Sequence, residues 1–279
     1  FRMLLRLIKK TPKISFVEYR KLFFSISLLL ALISIFSLWL KGLNFGIDFK
    51  GGLLVETKFS ADIELEDLRN KLSALNIGDF ALQELDQSKD NYLIKVELNK
   101  EVSNTQENVI FELKKSLEDS FGNNIDYRRV EFVGPTVSDE LIITGIIAIV
   151  AAIFSMLAYI WFRFELPFAI GAVIALLHDT ILTIGMFSIS SLEFNLSTVA
   201  AILLIIGYSM NDTVVVYDRV RENLKKFKKL DILSLLNKSI NETLSRTINT
   251  TATTILALLA LFLFGGNIIK DFSLAMIWG

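Results

Sequence analysis

Apolar and polar positions alternate along this chain in blocks the length of a lipid bilayer crossing. About 20 consecutive apolar residues are enough to span the hydrocarbon core as a helix. Leu22–Leu40, Leu141–Ile160, Leu166–Ser188 and Leu196–Tyr217 meet that length, and Thr247–Phe264 comes close to it. A sixth run begins near Phe272 and reaches Gly279, too short to cross, which predicts an incomplete last helix. The chain opens on Phe1 rather than Met, so a trimmed N-terminus is expected. The first run is expected to stay as a span, because no small-residue cleavage site separates it from the segment that follows.

Between the first and second runs the periodicity changes. Leu53–Phe59, Phe80–Leu85, Tyr92–Leu98 and Tyr127–Val133 read as strands. Ile63, Leu65, Leu68, Leu72 and Leu75 recur at helical spacing, as do Ile110, Leu113, Leu117 and Phe121 within Thr105–Phe121. A turn is placed at Gln87–Asn91, and Gly134-Pro135 closes the last strand. The order β-α-β-β-α-β predicts a ferredoxin-like α+β module over residues 41–140.

Charge orients the spans. Residues 1–21 hold seven bases (Arg2, Arg6, Lys9, Lys10, Lys13, Arg20, Lys21) against one acid, Glu18. Residues 218–247 hold eight bases against four acids. By the positive-inside rule both segments read as cytoplasmic, together with the turn at Trp161–Glu165. Residues 41–140, with 20 acids and 12 bases, then lie outside, as do Ser190–Asn195 and Gly265–Lys270. The expected division is a cytoplasmic segment 1–21, a first span 22–40, an outer domain 41–140, and further spans over 141–279 with a cytoplasmic loop 218–247.

Composition narrows the chemistry. Hydrophobic residues make up 52% of the chain and mean hydropathy is +0.51, in keeping with a membrane protein. With no cysteine and one histidine, a thiol-based or His-rich metal centre is not expected, nor any cofactor. No catalytic constellation is recognised in the outer domain, so the chain is not read as an enzyme. Its acids read as a solvated surface.

The exception to bland composition is Asp212, an acid inside an otherwise apolar span. A carboxylate in hydrocarbon costs several kcal/mol and marks function by default. Arg246 opens the next apolar run, and an acid and a base on neighbouring spans suggest a proton or ion pathway. Asn211, Thr247, Asn249, Thr250 and Thr251 are polar groups within reach of the same depth, able to bind water. His178 and Asp179 form a second polar pair in the third span. Each has a plainer reading: Asp212 as a helix-capped structural acid, Arg246 as an interfacial anchor, His178-Asp179 as packing.

Several motifs coincide with a known family. Gly46-Ile47-Asp48-Phe49-Lys50-Gly51-Gly52 resembles the GxDFxGG signature of the SecD/SecF proteins, and Val133-Gly134-Pro135 resembles their VGP motif. Leu177-His178-Asp179, Gly207 to Thr213, Asp218 to Asn223 and Ser245-Arg246-Thr247 fit the SecF side of that family, as does Tyr19-Arg20-Lys21. The resemblance implies a polytopic helical membrane protein with half of an RND-like bundle and a ferredoxin-like periplasmic domain. It implies placement in the bacterial inner membrane, N-terminus in the cytoplasm, as an accessory subunit of Sec protein export driven by the proton-motive force. It also implies Asp212 and Arg246 as proton-pathway positions, with a further acid supplied by SecD. SecD, the SecYEG translocon, unfolded preprotein and membrane lipids are the implied partners, and nucleic acid is not among them.

Two other readings compete. A self-sufficient RND-like small-molecule exporter would want a larger outer domain and a second half-bundle. A passive scaffold with a periplasmic binding domain would tolerate neutralisation of Asp212. The glycines of 46–52 read as a tight entry into the sheet, and the surrounding sequence lacks the context of a phosphate-binding loop. The basic run Lys225–Lys229 reads as a topology determinant and lipid-contacting surface.

Overall fold

The computed structural model describes residues 12–60, 63–74, 80–85, 90–97, 106–122, 124–265 and 267–279. Arg2, Arg6, Lys9, Lys10, Leu75, residues 87–89, Leu98 and Thr105 lie outside them. The chain divides into two compact units, Phe45–Ile146 and Phe1–Asn44 with Ile147–Gly279.

The first unit is built on an antiparallel sheet of β2 (Gly52–Phe59), β3 (Phe80–Glu84), β4 (Asn91–Val96) and β5 (Ile125–Val133). Their order, β3-β4-β2-β5, with α3 (Leu65–Ala74) and α4 (Gln106–Phe121) as crossovers, is the ferredoxin-like arrangement. Alternation along β2 turns Leu53, Val55 and Phe59 toward the helices, where they meet Leu68, Leu72, Leu113 and Leu117 in one buried cluster. The Tyr92 ring enters the same core and its hydroxyl donates to the Ile63 carbonyl. On α4's flank, burial together with the Glu118 carboxylate pushes the Tyr127 phenol up to about 12, so it stays protonated through ordinary alkaline pH.

The glycine-rich signature is more than an entry turn. Two-residue strand β1 (Asn44–Phe45) leads through Gly46 into one helical turn, α2 (Ile47–Lys50). Ile47 packs with Leu54 and Leu93 on the sheet face opposite the main core. Gly51 then adopts φ +76° and Gly52 φ +150°. A Cβ on Gly52 would stand 2.4 Å from the Val96 carbonyl oxygen, so steric exclusion and backbone strain act together there. Gly52→Ala is expected to destabilise this unit by about 3 kcal/mol. Gly122→Ala, with φ +88° but open space around it, is expected to cost only about 1 kcal/mol. Pulse proteolysis of the intact chain would rank the two; equal effects would refute the steric argument.

The second unit is helical. A short 3-10 turn (Phe16–Tyr19) leads into α1 (Arg20–Lys41). Further along come α5 (Pro135–Arg163), α6 (Leu166–Ser190), α7 (Leu196–Lys226), α8 (Ile232–Phe264) and α9 (Asn267–Trp278), with two-residue strand β6 (Glu193–Phe194) before α7. Among the described residues, five helices are long and apolar enough to cross a membrane. At about 1.5 Å per residue α9's 12 residues reach roughly 18 Å, short of a bilayer core.

Three boundaries depart from expectation. The loop expected at 218–247 is an antiparallel helical hairpin whose only break is the turn after Lys226, before Ile232. Charged residues there depress hydropathy without breaking the helix. The Asp231 carboxylate caps the α8 N-terminus by accepting from the Leu233 and Ser234 amides. Arg219–Glu222 and Lys238–Glu242 pair at helical spacing. The helix that carries the second span starts at Pro135, where proline suits a first helical turn, ahead of the apolar run from Leu141. The last helix starts at Asn267 rather than Phe272.

The hairpin is welded. Arg219 Nε meets Glu242 Oε2 at 2.6 Å, and the buried Asn223 amide donates to the same oxygen at 2.8 Å and to Ser239 Oγ at 3.0 Å. Arg163 clasps Asp218 with both carboxylate oxygens, at 2.9 and 3.1 Å. Asn241 holds the backbone of Ile14 at both N–H and C=O, and Asn237 accepts from the Val17 amide, strapping the N-terminal segment to α8.

Candidate functional site

Helices α1 and α6 meet along a seam of small and polar residues. Ser27 Oγ lies 2.5 Å from His178 Nε2, and Ser37 Oγ lies 2.9 Å from Ser188 Oγ. Between these contacts Ser34 abuts Gly185, where a Cβ would stand 2.2 Å from the serine Cβ. Both hydrogen bonds join residues 151 apart, a constant offset that only parallel helices in register can keep. Small residues allow such close backbone approach in a membrane, where apolar burial alone gives helices little reason to associate.

The seam leads inward to a polar chain. His178 Nδ1 is 3.2 Å from Asp179 Oδ1, and Ser209 Oγ of α7 donates to Asp179 Oδ2 at 2.7 Å. Ser209 precedes Asp212 by three residues, so both occupy one face of α7. Asp179, Ser209, Asn211, Asp212 and Thr213 share a cavity of about 410 Å³ with Thr250, Thr251 and Thr254 of α8 and apolar residues of α9. The space is ample for several waters, and its oxygen-rich wall gives them partners.

The expected residues are thus partly gathered. Asp212, Asp179, Asn211, Thr250 and Thr251 line the cavity. His178 stands behind Asp179. Thr247 and Asn249 serve instead as backbone acceptors for the hydroxyls of Thr250 and Thr253. That back-bonding satisfies these hydroxyls within the helix itself. Arg246 is the departure: it is exposed on α8, forms no salt bridge with Asp212 among the described residues, and acts on that acid only as a nearby charge. The Asp212 carboxylate takes no hydrogen bond among the described residues, facing the cavity unclamped.

Sequence reading passed over Ser27, Ser34 and Ser209. Ser27, Ser34 and Ser37 fall seven and three residues apart in a largely apolar helix, a small-polar repeat that marks a helix contact. Ser209 falls inside the Gly207–Thr213 motif, but its partner Asp179 is known only once α6 and α7 pack.

The protein export membrane protein SecD/SecF C-terminal family matches residues 112–279, and the SecD/SecF GG motif matches residues 36–63. The chain belongs to the SecD/SecF family. Within it, the relatives are of the SecF kind. A protein translocase subunit SecF from Rickettsia akari is 44% identical over 275 residues, covering 99% of this chain and 88% of the relative. Its counterpart in Rickettsia rickettsii is 43% identical over 278 residues with the same coverage. Among solved structures, SecDF from Thermus thermophilus, described as a translocon-associated membrane protein, superposes with a TM-score of 0.82 at 32% identity. SecDF in a super-membrane-facing form gives 0.68 at 33%. Each match covers 95% of this chain and 36% of the SecDF chain, so this SecD/SecF member spans about a third of that longer polypeptide. Family membership and five spanning-length helices together make it a multi-pass membrane protein.

Both signature motifs gain a physical account from the geometry. The GG pair permits contact with the Val96 carbonyl. The Asp218–Asn223 motif supplies the Arg163 clasp and the Arg219–Glu242–Asn223 weld that hold the α7/α8 hairpin.

Proposed function

We propose that this chain is an accessory subunit of the Sec protein translocase that, with a SecD-like partner, uses proton flow to promote preprotein export. The observation that carries the reading is Asp212, a carboxylate deep in a spanning helix, free of clamping partners and facing a polar cavity. A charged group in that position is costly, so it persists where protons or ions must pass. One charge crossing 100 mV is worth about 2.3 kcal/mol, enough to bias a conformational cycle.

Arg246 fits a switchable partner. Its guanidinium does not lose its proton, so it cannot carry one. It can bind Asp212 when that acid is charged and release it when protonated. The separated pair described above corresponds to the released arrangement.

A partner is supported by what this chain leaves uncovered. The apolar stretches of α1, α5 and α8 are almost wholly exposed, and Arg246 itself is exposed. A SecD-like bundle against these faces would shield the polar residues and contribute a further acid. The Phe45–Ile146 unit then works outside the inner membrane on unfolded preprotein or on the partner's outer domain, while the α7/α8 hairpin faces the cytoplasm and its SecYEG-bound machinery.

Two measurements test this. Vesicles depleted of the chain should regain export stimulation on its return only when a proton gradient is imposed; equal stimulation without the gradient would defeat proton coupling. Cysteines introduced singly at Asp90 and Lys228, in a chain with none of its own, should label oppositely with an impermeant thiol reagent. Outside labelling of the position-228 cysteine alone would overturn the orientation.

A further inference from the structure

We propose that the His178–Asp179 pair is a second proton station of the same cavity, loaded through Ser209, so that this chain holds two of the acids on the path by itself. The inference rests on the proton-flow reading above and extends it to residues outside the Asp212–Arg246 pair.

Three observations carry it. First, Asp179 and Asp212 sit on adjacent helices yet line one cavity of about 410 Å³. A water-accessible space lined by both carboxylates gives protons a route between them. Second, Ser209 touches Asp179 and stands one helical turn from Asp212 on the cavity wall. Its hydroxyl donates to Asp179 Oδ2 at 2.7 Å. A hydroxyl both donates and accepts, so rotation of Ser209 can accept a proton from the Asp212 side while passing its own to Asp179. Third, Asp179 is backed by an imidazole in fixed orientation. His178 presents Nδ1 to Asp179 Oδ1 at 3.2 Å, and Ser27 of α1 holds its Nε2 at 2.5 Å.

Polar side chains that merely pack in this helix behave differently. Thr180 and Thr183 bond to their own helix, to the carbonyls of Leu176 and Asp179, and do not reach the cavity. Asp179 instead spends both carboxylate oxygens on titratable or exchangeable neighbours and faces the open space.

The groups around Asp179 are few. Its own helix offers His178; α1 offers Ser27; α7 offers Ser209 and Asp212; across the cavity α8 offers threonines, with Arg246 its nearest cation; α9 offers uncharged Met276 and Trp278. The station therefore exchanges protons with Asp212 through Ser209 and the cavity. Ser27 is a positioning residue that keeps the imidazole turned toward Asp179.

The test uses the full chain with its SecD-like partner in proteoliposomes, comparing Asp179→Asn, Asp179→Glu, Ser209→Ala and Asp212→Asn. Asn preserves the shape and the bonds to Ser209 and His178; Glu preserves the acid. A proton station predicts that Asp179→Asn cuts gradient-driven export roughly 10-fold or more while Asp179→Glu retains most of it. Ser209→Ala should slow it with both acids intact. Packing predicts the reverse order, Asn tolerated and Glu not, and that result overturns the proposal, as does equal activity or equal failure of Asn and Glu. Infrared difference spectra between acid and alkaline pH give a readout independent of export. Asp179→Asn should remove one protonated-carboxyl band and Asp212→Asn a different one; no band lost with Asp179→Asn overturns the station. If that band is lost while export is stimulated equally with and without the gradient, the proton-flow reading falls and the protonated carboxyl at Asp179 stands.

Discussion

Asp212→Asn is expected to leave the protein inserted, folded and assembled with its partner while abolishing gradient-stimulated export. Asn keeps the size and the polar contacts a cavity water would make, but it cannot take or release a proton. Positioned proton-transfer groups contribute factors of 10²–10⁴, so the gradient-dependent component should fall at least about 100-fold. Assembly should survive because Asp212 makes no hydrogen bond or ion pair that holds helices together among the described residues. The measurement is preprotein translocation into vesicles with and without an imposed gradient, beside native mass measurement of the extracted complex. Stimulation that persists in the Asn variant would exclude Asp212 from the proton route.

Gly185→Leu should be the most damaging single change in the membrane unit. Even a Cβ at this position would stand 2.8 Å from the Ser34 Cα, so backbone as well as side chain must move. Forcing α1 from α6 breaks the flanking Ser27–His178 and Ser37–Ser188 bonds together. Overpacking of this kind costs typically 1–3 kcal/mol, and interhelical hydrogen bonds in membranes add about 0.6 each, for a loss of about 2–4 kcal/mol. Cysteines replacing Ser37 and Ser188, whose hydroxyls are 2.9 Å apart, should cross-link readily with Gly185 in place and poorly with Leu. Ser34→Gly should restore part of the cross-linking. Efficient cross-linking in Gly185→Leu would show that the seam does not depend on this approach.

The sequence was most legible where one periodicity ruled. The spans announced themselves by length, and the α/β unit by its alternating and helical repeats, down to the strand order. The GG and Asp218–Asn223 motifs were visible as patterns, but their reasons were not, because Val96 and Glu242 are distant in sequence from the residues they explain. Charge hides helix ends from a hydropathy pattern: Arg219, Glu222, Lys238 and Glu242 lower hydropathy while pairing to extend α7 and α8. Asp212 stood out as an isolated acid, and its cavity wall did not, since Asp179 and Ser209 meet only after α6 and α7 pack. The expected Asp212–Arg246 contact followed from comparable depth along two helices, which fixes height but not the direction in which a long side chain turns.

Because α7 continues unbroken from Asp212 to Lys226 and is tied to α8 through Arg219, Asn223 and Glu242, the cavity acid and the hairpin tip belong to one helix. Some 14 residues at about 1.5 Å each give it an arm of roughly 21 Å. A tilt of about 10° at the acid, too small to disturb helix packing greatly, would sweep the tip by about 4 Å. Shifts of that size at a lysine-rich tip change which lipid headgroups or protein surfaces it can touch. One continuous helix thus joins the Asp212 carboxylate to the lysine-rich tip, so a tilt at one end is a displacement at the other.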